Sequence, residues 1–335
     1  MEIVKPPRLK RGDLISIVSP ASSPKDSDKV QAAVKYFESF GYRVTVSKNV
    51  FNVHGYLAGT DDERAEDLNQ AFADKNVKAI VCSRGGYGTP RILDKIDYAM
   101  IRKNPKILVG YSDITALELA IFKKTKLVTF SGPMAAVEFG DNIDPFTEEM
   151  FFEMVTNRRK VGALKSHKSF KVSFRGTRGE QGRLLGGNLS LIMSILGTEY
   201  IPDFSESMLL IEEVSEEPYS IDRMLTQLRL AGILKKASAF AVGQFIDCTE
   251  EQVGRLEEAS RFAVGQLTGR TPEEPDKRHM TVDEILDSDL FSYGKPSVSN
   301  IAYGHVPIKL TLPIGVLASI NPLKRKFSID EAAVS

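Results

Sequence analysis

Five short β-rich runs punctuate the first 135 or so residues, and the segments between several of them carry helical patterns. The runs are DLISIVSPAS (13–22), YRVTVSK (42–48), VKAIVCS (77–83), KILVGYS (106–112) and KLVTFSG (126–132). The last three are nearly continuous in apolar character, the signature of parallel strands covered on both faces. The intervening segments repeat at helical spacing: Val30, Val34 and Phe37 share one face of 25–40, and Ala65, Leu68 and Phe72 share another. Thr60-Asp61-Asp62-Glu63 reads as a capping box, so a helix opens there. The expectation is a doubly wound α/β domain with a parallel sheet.

At 335 residues the chain is long for one core, which predicts two domains. Residues 1–157 form the first. The stretch 158–180 is basic, poor in large apolar residues, and reads as a linker or a rim hairpin. From 181 to 335 an α/β pattern resumes with RLLGGNLSLIMSILGT, MLLIEEV, IDRMLTQLRLAGIL and FAVGQFID. TGRTPEEPDKRHM (268–280) reads as an exposed loop.

Composition excludes several function classes. Forty-four basic residues balance forty-four acidic ones, which removes the electrostatic case for nucleic acid or an anionic membrane as partner. Two cysteines, Cys82 and Cys248, make neither a disulfide framework nor a thiolate metal site. No metal motif, Walker lysine or complete dinucleotide fingerprint occurs: after Gly86-Tyr87-Gly88 come Thr89, Pro90 and Arg91, so the third glycine is missing. No cofactor is expected. The N-terminal stretch has no apolar run of signal-peptide length, so the chain is expected to be cytoplasmic.

Ligands of open parallel sheets bind beyond the carboxyl ends of the strands, which here means RGGYG (84–88) and GYSDIT (110–115). The second has the strand–serine–helix logic of a nucleophile elbow, although Ile114 stands where the second glycine of that motif belongs. Taken alone, the stretch favours Ser112 or Asp113 as a cap of the following helix. A nucleophilic serine needs a base. His54, His167 and His279 lie in polar, surface-like settings, whereas His305 follows a glycine within the apolar NIAYGHVPIKLTLPIG. His305 is therefore the best base by elimination, with a core or turn histidine as the alternative. Glu212 and Glu213 end an apolar strand, and alternation sends one toward a cleft and the other to solvent. The alternative is that both are exposed at the strand tip. Consecutive glycines in RGGYG allow a backbone N–H to approach an oxyanion.

These motifs, with GYLAGTDDERAEDLNQAF, SGPM (131–134) and LLIEEVSEEPYSIDRMLTQL, make nearly the whole chain resemble the LD-carboxypeptidases. That family of serine peptidases includes the muramoyltetrapeptide carboxypeptidases and the microcin C self-immunity proteins. The resemblance implies a flavodoxin-like N-terminal domain, a C-terminal swivelling β/α domain, and a homodimer. It places the family's serine on Ser112, its acid on Glu212 and its histidine on His305. This chain departs in having Val306 after His305 and Glu213 after Glu212, where many members read G-H-G and E-D. The activity implied is release of terminal D-alanine from a murein tetrapeptide, with the N–H groups of Gly86 and Asp113 as oxyanion donors and no metal. Arg84 and Gly85 are candidates for contact with the substrate, Arg84 for its terminal carboxylate. Two other readings compete: a microcin-type hydrolase of aminoacyl nucleotides using the same residues, and a non-catalytic ligand-binding module in which the three lie far apart. The chain contains no tryptophan, hence no indole platform for an adenine ring.

Overall fold

The structure, a computed structural model, describes residues 2–249 and 280–335. Most of the loop expected at 268–280 and His279 lie outside the described residues. In the first half, β1 (Leu14–Val18), β2 (Arg43–Val46), β3 (Val77–Cys82), β4 (Ile107–Gly110) and β5 (Thr129–Ser131) are all parallel. Their order β2-β1-β3-β4-β5 is the flavodoxin-like one. Ile15, Ile17, Ile80, Val81, Leu108 and Val109 are almost wholly out of solvent, as strands covered on both faces require.

The helices that cover the sheet start where their residues cap them. Asp26 accepts from the Asp28 N–H to open α1 (Ser27–Ser39). Thr60 and Glu63 form the expected reciprocal box at the head of α2 (Asp61–Ala73). Next come α3 (Tyr98–Lys103), α4 (Ile114–Thr125) and α5 (Pro145–Thr156), the last opening on Asp144 with proline in its first turn.

A second, eight-stranded sheet follows. Its strands come from β6 (Gly162–Ala163), β7 (Ser173–Arg175), β8 (Glu180–Asn188), β9 (Ser207–Val214), β10 (Ala239–Ile246) and β11 (Ser297–Ser299), then β13 (Leu317–Asn321) and β14 (Lys326–Ile329) after an intervening β12 (Leu312–Ile314). The order is β6-β14-β13-β8-β9-β10-β11-β7, with β8 to β11 parallel and antiparallel strands at both margins. The helices α6 (Leu189–Ile195) and α7 (Pro218–Leu230) connect the parallel strands.

Two features of chain organisation differ from the sequence expectation. The basic stretch 158–180 is neither a free linker nor a hairpin: β6 and β7 sit at opposite edges of the second sheet. Edge strands need only one hydrogen-bonding neighbour and tolerate charge, so their apolar content is low. Conversely, β12 leaves the second half and pairs antiparallel with β5, giving the first sheet its sixth strand. This return stitches the two halves together beside the ends of β4 and β5. No helix among the described residues is long and apolar enough to cross a membrane.

Candidate active site

Between the end of β4 and the start of α4 the chain must turn within three residues, and Ser112 takes the strain. Its φ of +63° is one of the few left-handed values at a non-glycine residue. Glycines make room for the turn: a Cβ on Gly110 would lie 2.8 Å from the Ile114 side chain. One on Gly85 would lie 2.9 Å from the Ser112 Cβ and 3.0 Å from its Oγ. The helix-cap alternative does not hold, since α4 has no side-chain cap. Instead the buried Asp113 carboxylate accepts from the Thr89 N–H at 2.8 Å, and the Thr89 hydroxyl donates to the Asp113 carbonyl. Burial raises the Asp113 pKa in spite of these bonds.

His305 reaches Ser112 from the irregular segment between β11 and β12. Its Nε2 lies 2.9 Å from Ser112 Oγ, and its Nδ1 lies 2.9 Å from Glu212 Oε2 near the end of β9. With an ionised carboxylate, Nδ1 carries the proton and Nε2 accepts from the serine hydroxyl. The Glu212 side chain is 1 % exposed and that of His305 is 21 % exposed, so the pair is shielded while the imidazole keeps one edge open. Close backbone approach makes this possible. Gly304 has φ of +110°, and a Cβ there would come within 2.6 Å of Glu212 Oε2. The Tyr111 ring meets the imidazole in a T-shaped contact at 5.3 Å.

Glu213 corrects one expectation. It does not meet solvent, nor are both glutamates exposed: Glu213 is buried, pointing to the opposite face of the sheet. Its Oε1 accepts from Asn188 Nδ2 and the Val214 N–H, and its Oε2 from the Ser190 N–H and hydroxyl. Four donors compensate its burial, although desolvation still raises its pKa. It secures the head of α6 and makes no contact with His305.

The other expected residues surround Ser112. Gly85 packs on it as described, and Gly86, with φ of +111°, is exposed. Among the described residues neither the Gly86 N–H nor the Asp113 N–H donates to a protein acceptor, so both remain available to a ligand. Arg84 is half-buried; among the described residues its side chain makes no ion pair and a single long hydrogen bond, to the Ser23 carbonyl at 3.5 Å. It lines a cavity of about 310 Å³ with Lys25, Lys29 and one carboxylate, Asp26. A larger cavity of about 710 Å³ on the second sheet is lined by none of Ser112, Glu212 or His305. His54 is exposed and His167 half-buried, neither hydrogen-bonds to Ser112, Glu212 or His305, and burial pushes the Cys82 thiol pKa well up. Sequence reasoning passed over Tyr111, Glu138 and Lys309. Their signal was a lone lysine in the apolar HVPIKLTLPIG, a residue type that is almost never fully buried unless paired.

The arrangement can transfer a proton from a serine hydroxyl to an imidazole backed by a carboxylate, next to two unoccupied backbone donors. Comparison with known proteins agrees with that chemistry. Residues 15–132 match the family pattern described as LD-carboxypeptidase N-terminal domain, and residues 181–320 match LD-carboxypeptidase C-terminal domain. The "Probable murein peptide carboxypeptidase" of Bacillus subtilis is 37 % identical, covering 99 % of this chain and 95 % of its own. The "Microcin C7 self-immunity protein MccF" of Escherichia coli is 28 % identical over 90 % of this chain and 88 % of its own. Among solved structures, the muramoyltetrapeptide carboxypeptidase from Oxalobacter formigenes superposes with a TM-score of 0.76 at 30 % identity, covering 95 % and 99 % of the two chains.

Proposed function

This chain belongs to the LD-carboxypeptidase family, and from that premise we propose that it is a serine carboxypeptidase that removes the terminal D-alanine of murein tetrapeptides. The observation that carries the reading is the continuous hydrogen-bond chain from Ser112 Oγ through the His305 imidazole to Glu212. The rival ligand-binding module required these three residues to lie apart, and it loses its support. The microcin-type alternative has weaker support, because the carboxypeptidase relative is the more similar of the two in sequence.

In the proposed reaction His305 Nε2 takes the Ser112 proton as Oγ attacks the scissile carbonyl carbon. Glu212 holds the Nδ1–H tautomer and stabilises the imidazolium. The N–H groups of Asp113 and Gly86 receive the oxyanion, each such donor being worth about 3 kcal/mol of barrier. The C–N bond then breaks as Nε2–H protonates the departing amine of D-alanine. A water molecule next gives a proton to Nε2 as it attacks the acyl carbon; the C–Oγ bond then breaks as Nε2–H returns the proton to Ser112 Oγ, releasing the shortened peptide. Arg84, without an ion pair among the described residues and beside Gly85, is the cation proposed to meet the substrate's terminal carboxylate, with Gly85 admitting the peptide close to Ser112.

A domain boundary at 157, cytoplasmic location and homodimeric state complete this reading; light scattering of the purified protein tests the last. The central test is Ser112→Ala. It should abolish D-alanine release from the tetrapeptide with the melting temperature retained. Activity within a few-fold of wild type would refute the assignment. Offering an aminoacyl-sulfamoyl adenylate in parallel separates the two hydrolase readings by which substrate is consumed.

A further inference from the structure

The segment that delivers His305 contains neither helix nor strand, so something other than secondary structure must hold the imidazole within 2.9 Å of Ser112. Four residues beyond His305 stands Lys309, 2 % exposed. Its Nζ ion-pairs with Glu138, which lies in the helical turn Ala135–Phe139 of the first half. The same nitrogen sits 3.6 Å from the centroid of the Tyr111 ring. Tyr111 precedes the nucleophile, donates its hydroxyl to Glu138 Oε1 at 3.0 Å, and meets the His305 ring in the T-shaped contact. Glu138 Oε2 in turn accepts from the Met134 N–H at 2.8 Å.

We infer that Lys309, Glu138 and Tyr111 form a positioning unit that sets the distance between base and nucleophile. The inference rests on reading Ser112 and His305 in those roles. The Tyr111 ring meets both the Lys309 cation and the imidazole, and both belong to one short loop. That loop is closed at its base by the Leu310 N–H on the Ala302 carbonyl. The Lys309 N–H also donates to Thr147 Oγ1 at 2.9 Å, so backbone and side chain of the same residue dock on the first half. A buried lysine with a lone carboxylate partner is costly to solvate poorly, and burial lowers its pKa. Such a pair gives little net stability over an apolar replacement. What it supplies is directional: the ammonium can sit over the ring and on Glu138 at once only when the loop is in one place.

Positioning and mere stability predict different kinetics. Lys309→Met should lower kcat at least tenfold with KM within twofold, because substrate contacts near Arg84 are untouched. The rate at which a fluorophosphonate probe labels Ser112 should fall in parallel. Glu138→Gln keeps the shape and neighbours of the side chain but not its charge, and should lower kcat three- to tenfold. The Glu138→Gln/Lys309→Met double variant should regain melting temperature over Lys309→Met without regaining kcat. A double variant with kcat within twofold of wild type, or kcat losses that equal the loss of folded protein, would overturn the inference. If Lys309→Met does not fold, Glu138→Gln decides by the same criteria. Ser112→Ala serves as control: activity there sinks the functional reading itself, whereas an inactive Ser112→Ala beside a fully active Glu138→Gln sinks only the positioning unit.

Discussion

The turn that carries Ser112 and the loop that carries His305 lie in contact but are built by opposite means. The turn is local. A strand ends at Gly110, a helix starts at Ile114, and glycines at 85 and 110 leave the space that a left-handed serine needs. The loop is assembled from a distance. Tyr303 hydrogen-bonds Ser131 at 2.8 Å across 172 residues, Gln244 donates to the Tyr303 carbonyl, and Lys309 reaches Glu138 across 171. Local geometry tolerates mutation elsewhere in the molecule, whereas a loop held by long-range contacts transmits it. Activity should therefore be more sensitive to changes around His305 than its distance from the substrate would indicate.

The largest effect is expected from Glu212→Gln, which leaves shape intact but favours the wrong imidazole tautomer. By analogy with the serine-protease triad, kcat should fall by about four orders of magnitude. A loss under tenfold in steady-state assays would show that Glu212 is not the acid. Gly304→Ala comes next. It puts a methyl group 2.6 Å from Glu212 Oε2 at a φ of +110°, so the loop must shift. A displacement near 1 Å costs kcat on the order of 100-fold. Unchanged kcat would mean that the loop adjusts freely and the comparison with the Ser112 turn is wrong.

Glu118 probes the helix behind the Ser112 turn. It is fully buried on α4, and burial outweighs the neighbouring Ser131 hydroxyl to raise its pKa well above 4.5. The folded state therefore binds a proton that the unfolded chain has lost, and stability falls as pH rises through 4.5 toward the folded value. Glu118→Gln removes this loss. Its advantage over wild type in denaturant titrations should be flat below pH 4.5 and then widen by up to about 1.4 kcal/mol per pH unit. A pH-independent difference would contradict a protonated Glu118.

The smallest effect on catalysis belongs to Glu213→Gln. It leaves the Ser190 N–H without its carboxylate acceptor, costing about 1 kcal/mol of stability, with kcat within a few-fold of wild type. Two adjacent glutamates thus give opposite signatures, one kinetic and one thermodynamic.

Much of this was legible in the chain before it folded. The continuous apolar character of 77–83, 106–112 and 126–132 identifies parallel strands, because such strands have no solvent face to alternate with. Thr60 and Glu63 mark a helix start because both partners of the cap lie within one turn. Ser112 could be singled out, though not distinguished from a cap, because an elbow and an N-cap share the same strand–polar–helix pattern. The two edge strands in 158–180 were missed because an edge strand has little apolar signal of its own.

By itself, then, the amino-acid order determined most of the elements and the parallel character of the first sheet, which depend on interactions within a turn or two of the backbone, and it singled out Ser112, His305 and the Glu212-Glu213 pair for testing. Only the folded molecule decided that β12 crosses to the first sheet and that Glu212 rather than Glu213 faces His305. It alone also paired Lys309 with Glu138. Those outcomes depend on which surfaces meet in space, and residues 93 to 193 positions apart leave no local trace of their pairing.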